Sequence, residues 1–304
     1  MANYIKKIRT NSGDLQIDYN ALANLPTISN PNLLINSDFR KPVNQRGQTT
    51  YKSSAGDWSR VYTIDRWNMQ NGSTCTVNSA SITLQGNTAA SGTSCFCQII
   101  DGALPADTYT VQVKVKSISN GGALSITNSA SQQVLSQNLS VGVNTFTVQN
   151  VAVFFVSIDL GANSKVELEW IKLEQGATAT AFSPRSYGEE LALCQRYTYA
   201  WFPADHYTLA YHIFKSDTNN INFSVQLPVT MRSTPSLQVL GGGVSCVAND
   251  DFGTAYGSVS IQMDTANAYT AKVKATFGVN LWRDCPVEFF AYSQLGLLFD
   301  AEIR

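Results

Sequence analysis

Every second residue in the stretch 108–116 is apolar or aromatic on one side of an extended chain. Tyr109, Val111, Val113 and Val115 fall on one face and Thr110, Gln112, Lys114 and Lys116 on the other. A period of two is the side-chain repeat of a β-strand; a helix would scatter these residues around its axis. Shorter stretches at 81–84, 123–127, 144–149, 151–159 and 165–173 continue the pattern, separated by Gly86-Asn87, Asn120-Gly121-Gly122 and Gly161-Ala162-Asn163. Glycine and asparagine tolerate the backbone angles of tight turns, so this text reads as strands joined by turns. Within 165–173 the apolar phase slips from Val166, Leu168 and Trp170 to Ile171 and Leu173, which predicts a β-bulge.

A second series follows. Tyr207, Leu209, Tyr211 and Ile213 are expected to oppose Ile221, Phe223, Val225 and Leu227 in a hairpin across a turn at 216–220. Alternation resumes at Tyr269, Ala271, Val273, Ala275 and Phe277, then at 287–292 and 297–303. A chain of 304 residues with 44% hydrophobic content is long enough for two cores. The boundary is placed near 176–188, which lacks bulky alternation and contains Pro184, and a short helix is expected at 189–196 with Leu191 and Leu193 packing between domains. Residues 1–31 read as an extended arm, with a helical turn at 18–25 capped by Asp18 and ended by Pro26. The expected organisation is all-β: an arm at 1–31, a β-sandwich at 32–186 and a second antiparallel β-sandwich domain at 187–304.

Composition removes several function classes. Net charge is −1 and the only cationic cluster is Lys6-Lys7-Ile8-Arg9, so the electrostatic footprint of a nucleic-acid binder is missing. No apolar run reaches the roughly 18 residues of a membrane span, and the first residues show no secretory signal pattern. Cysteines at 75, 95, 97, 194, 246 and 285 have no metal-ligand spacing and are read as thiols; Cys95 and Cys97 share one strand face.

The segments NLLINSDFR at 32–40, NQRG at 44–47, TIDRW at 63–67 and EWIKLEQGATATAFSPRS at 169–186 resemble the jelly-roll, carbohydrate-binding-module-like domain of phage and prophage tail proteins. The block from YGEELALCQRYTYAW to LPVTMRSTPSL is similar to the β-domain that follows such modules in phage fibres, and IRTNSGDLQIDYNALANLP to their attachment arms. The resemblance implies a virion protein assembled in the host cytoplasm: a homotrimer joined to other virion proteins through residues 1–31 and meeting host-surface carbohydrate with its distal domains. It leaves open a tail fibre or spike, or a head fibre or decoration protein without a receptor. A polysaccharide-degrading enzyme or its accessory module is the competing class. A structural Ca²⁺ on Asn36, Asp38 and Glu169 is a further implication; no other cofactor is expected.

Candidate chemistry is sparse, and no enzyme activity is expected. His206 and His212 lie on the face opposite Tyr207 and Leu209, without the third ligand that zinc needs. Glu167 and Glu169 share one strand face, and Asp57, Asp65 and Asp251 sit in loops or at strand ends. A glycosidase needs two carboxyls about 5 to 10 Å apart, one with a raised pKa, and a solvated outer face is the expectation for this pair. Sugars are bound by stacking their apolar faces on exposed aromatic rings while polar groups bond the hydroxyls. Tyr51, Trp58 and Tyr62, in the long polar segment 47–63, are therefore the candidate ligand-binding residues. Trp67, Trp170 and Trp282 are assigned to the core, and Trp201 with Phe202 to a domain or subunit junction.

Overall fold

The computed structural model describes residues 7–10, 13–16, 29–87, 94–202, 207–213, 219–240, 246–250, 255–278, 287–291 and 295–303. In the arm, β1 (Lys7–Thr10) pairs antiparallel with β2 (Gly13–Gln16), a local ladder that the sequence reading did not anticipate. The helical turn expected at 18–25 lies outside the described residues.

The protein is all-β, and its first unit is a jelly-roll β-sandwich. One sheet has the order β3 (Thr50–Lys52), β6 (Thr74–Val77), β7 (Ile82–Gln85), β13 (Lys165–Gln175), β9 (Ala106–Ser119) and the first half of β12 (Gly142–Leu160). The other has β4 (Val61–Tyr62), β5 (Asn68–Met69), β8 (Ser94–Ile99), the second half of β12, β10 (Ala123–Asn128) and β11 (Gln133–Asn138). The strands expected separately at 144–149 and 151–159 are thus one strand that changes sheet. Its register against β9 breaks between Val148 and Val151, where Asn150 has φ 53°. Asparagine enters the left-handed region at low cost, so Asn150 marks a bulged corner within one continuous strand.

The β13 bulge lies where the apolar phase slips: register against β9 shifts on both sides of Leu168, and Val166, Leu168, Ile171 and Leu173 are all buried. Tyr109, Val111, Val113 and Val115 are buried opposite the second sheet. At the sandwich end, Trp67 stacks on Phe96 with ring centroids 4.8 Å apart, and Phe39 meets Trp67 edge-on at 5.3 Å. Trp170 is half-buried and stacks on Phe182 at 4.5 Å. Trp282 lies outside the described residues.

The motif residues converge here. Asn36 donates to the carbonyls of Val43 and Asp65 and accepts from Val43, while its own carbonyl takes the Trp67 indole N–H at 2.8 Å. Asn32 bonds the backbone of Ile171 and Leu173. Buried Lys172 ties Glu174 at 3.0 Å to Ser29, Thr180 and Ala181, anchoring both ends of the sandwich chain.

The second unit begins with α1 (Tyr187–Gln195). Ser186 caps it and Glu189 reaches back to the Ser186 amide, a reciprocal capping box that offsets the helix's shortness. Leu191 and Leu193 are half-buried, and Cys194 is the fully buried anchor. Two antiparallel sheets follow: β14 (Thr198–Trp201), β22 (Gly296–Asp300), β17 (Ser236–Leu240), and β15 (Tyr207–Ile213), β21 (Val287–Ala291), β18 (Cys246–Asp250), β19 (Ala255–Ala266), β20 (Thr270–Phe277), β16 (Asn220–Gln226). Ile221, Phe223, Val225, Val273 and Phe277 meet Leu297 and Phe299 in one core. The expected hairpin does not form. β15 pairs with β21 and β16 with β20, at opposite ends of the strand order. Alternation specifies which face of a strand is buried, not its partner.

The two units are locked by the chain's last described residues. Glu302 is buried against Arg66, with Oε2 2.5 Å from Nη1 and Oε1 accepting the Arg66 amide at 3.0 Å. The Arg66 guanidinium also donates to the Ile99 carbonyl at 2.6 Å and lies 3.6 Å over the Tyr197 ring. Removing one partner of a buried ion pair strands the other charge, at a cost of about 3–5 kcal/mol. Glu302→Gln is accordingly expected to lower stability by about 3 kcal/mol or more, read as a large drop in denaturation midpoint. Replacing both residues by apolar ones, Arg66→Met with Glu302→Leu, is expected to recover much of that loss.

Candidate functional site

A cleft of about 850 Å³ opens along this junction, lined by Tyr51, Trp58 and Tyr62 together with Arg46, Gln48, Lys52, Arg60 and Gln70 from the first unit. Its other wall comes from β17 and β22, through Gln238, Leu240, Leu298 and Asp300. The three aromatics chosen from sequence therefore line one space, but their environments differ. Trp58 is 56% exposed and offers an open ring. Tyr51 is only 4% exposed; its hydroxyl donates to Asn44 and accepts from the Gln48 amide, so it forms a wall, and burial pushes it up to about 12. Tyr62 donates to the Ile303 carbonyl, and the Arg46 guanidinium covers its ring at 5.4 Å. Burial raises its pKa, with Glu302 adding to the effect.

The Trp58 loop is pinned rather than loose. Gly56, at φ 74°, donates to the Asn71 side chain at 3.1 Å, Asp57 accepts the Ser59 amide at 2.8 Å, and Gln70 donates to the Trp58 carbonyl. The Asp57 carboxyl is held below its ordinary pKa by the Ser59 bonds.

Behind the cleft floor, Gln45 donates to Asp65 at 2.7 Å and to the Thr198 carbonyl at 2.6 Å, bridging the two units. Arg46, with its side chain 8% exposed, lies 3.4 Å from Asp65 and donates to Thr198 at 3.1 Å. These are polar residues of the NQRG motif, and nothing in local periodicity marks them as a domain joint. Their signal was the motif itself, in which Gln45 and Arg46 are neighbouring long polar side chains.

The other candidates do not assemble a reactive centre. Glu167 is bonded by Ser81, Lys116 and Ser117, which hold its pKa low and keep it ionised, the opposite of a proton donor. Asp65 has the raised pKa an acid would need, but it is fully buried behind Arg46. Asp38 is paired with Arg40 at 2.7 Å, and the 500 Å³ recess that Asn36 and Asp38 share is also lined by Lys41 and by Arg185, which is paired with Glu190 at 3.2 Å. Both carboxylates are already paired with arginines and the Asn36 amide is bonded to the Val43 and Asp65 backbone, a set that does not fit a calcium cage. No cluster of three His, Cys, Asp or Glu side chains occurs among the described residues. His206, Asp251 and the His212 side chain lie outside them. Cys75, Cys95, Cys97 and Cys194 are free thiols. Trp201 packs 6.2 Å from Phe223 in the second core, whereas Phe202 is exposed.

No protein-family model matches the chain. No curated protein matches it either. Among solved structures it is similar to the N-terminal CBM22-1–CBM22-2 tandem domain of Paenibacillus barcinonensis Xyn10C, at 9% identity over 92% of this chain and 99% of that one, TM-score 0.30. Recombinant discoidin II of Dictyostelium discoideum matches at 13% identity over 95% and 99%, TM-score 0.22. An arabinose-bound α-L-arabinofuranosidase, MgGH51, matches at 13% identity over 57% of this chain, which spans only 34% of that enzyme, TM-score 0.29. Overlap this weak assigns no ligand.

Asp65 makes the junction sensitive to pH. Desolvation lifts it from 3.8 to about 7, against the opposing pull of Arg46 and Gln45. Between those two values the folded protein holds a proton that the unfolded chain has lost, so this group's contribution to stability falls as pH rises through the window. The melting temperature is expected to be higher at pH 5.5 than at pH ~8, and Asp65→Asn to flatten that difference.

Proposed function

We propose that this chain is a non-catalytic glycan-binding appendage of a phage particle, a tail fibre or spike attached through its N-terminal arm. The observation that carries the binding reading is Trp58: a large aromatic ring, more than half exposed, held by a pinned loop at the mouth of a polar cleft. Exposing such a ring costs solvation, and stacking on a pyranose face recovers it. Gln48 and Gln238 supply amides to the same cleft lining, suited to sugar hydroxyls. Asp300 is the one carboxylate in the described lining, whereas glycoside cleavage ordinarily uses two. The phage assignment is supported by the ordered sequence motifs, which here build the sandwich end and the domain joint.

Trp58→Ala is the direct test. Because the ring is exposed, truncation is expected to leave the melting temperature within about 2 °C while weakening retention on host-envelope polysaccharide by about tenfold or more. Unchanged retention would remove the cleft from the binding reading, and release of reducing ends would replace a binder with an enzyme. The fibre reading further expects light scattering to give a mass three times that of one chain. A stable monomer would count against it.

A further inference from the structure

We infer that the cleft selects acidic polysaccharide, chains carrying uronate or other sugar carboxylates, over neutral glycan. This rests on the glycan-binding reading and adds the class of ligand. The whole chain carries a net charge of −1, yet the cleft lining holds Arg46, Lys52 and Arg60 against the single carboxylate Asp300. The charges are not equivalent. Arg46 is partly balanced by Asp65 at 3.4 Å and is fixed over Tyr62. Asp300 already accepts the Glu302 amide at 2.9 Å. Lys52 and Arg60 are exposed and make no ion pair among the described residues, so their charges face the cleft and solvent. Arg60 lies two residues from Trp58 in the same segment. A sugar stacked on the indole would thus bring a ring carboxylate towards a guanidinium, whose planar donors match carboxylate geometry.

Uncharged polymer gains nothing from Lys52 and Arg60, whereas a polyuronate gains attraction along each repeat. That attraction is screened by salt, because both cations are solvated. Stacking on Trp58 is not, so the two contributions separate by ionic strength.

The test uses the full chain on immobilised homogalacturonan, hyaluronan and polysialic acid, each beside its methyl-esterified form, which keeps the backbone and removes the charge. At least one charged polymer is expected to bind about tenfold or more tighter than its ester at low salt, an advantage that shrinks at ~0.5 M salt. Lys52→Gln with Arg60→Gln is expected to bring the ratio of charged to esterified binding close to one. Trp58→Ala should weaken both forms. Equal binding of charged and esterified polymers would overturn the acidic selectivity while leaving a glycan cleft standing. Retention of none of the six would overturn both. Single-stranded DNA held as tightly as the best polyuronate would also overturn the inference, since the cleft would then be an unselective anion exchanger.

Discussion

The buried pairing of Arg66 with Glu302 holds together parts that are otherwise separate sandwiches. Arg66 sits at φ 70°, a left-handed conformation that costs a non-glycine residue about 1–2 kcal/mol. It is held there because its amide and its guanidinium both bind one carboxylate, while the ring of Tyr197 covers its flat face. Glu302 in turn accepts the Thr198 hydroxyl at 3.2 Å. The first sandwich supplies the cation, the start of the second supplies the ring and hydroxyl, and the chain's last described segment supplies the anion. Neither charge could stay buried without the others.

The cleft inherits its shape from that lock. β22 ends two residues before Glu302, so fixing the carboxylate also fixes Leu298 and Asp300 opposite Trp58 and Arg60. Gln45, Arg46 and Tyr62 reinforce the same joint through Thr198, Ala200 and Ile303. A binding surface built across a rigid junction is preorganised and loses little freedom when a ligand arrives. The two tyrosines are consumed in this scaffolding, and Trp58 is left as the open aromatic surface.

Much of the fold was legible in the text because burial of a strand face is a local property. The faces of 108–116, 165–173 and 269–277 could be assigned residue by residue, and even the β13 bulge showed as a slip in apolar phase. Pairing was not legible: Tyr207–Ile213 and Asn220–Gln226 have matching alternation and still choose partners about 80 and about 50 residues away, respectively. At the site, an exposed tryptophan in a polar loop was a readable signal. The opposing wall, contributed by Gln238, Leu240, Leu298 and Asp300, carried none.

By itself the sequence determined that the protein is built of strands, which faces those strands bury, and that one long polar segment holds the aromatics suited to a sugar. Tertiary structure alone decided that Arg66 finds Glu302 across 236 residues of chain, that Asn150 bends one strand through two sheets, and that the cleft has two walls. The difference is physical. Alternation and turn chemistry act between neighbours in the chain, whereas an ion pair or a cleft is made by groups that become neighbours only after the strands have chosen their partners.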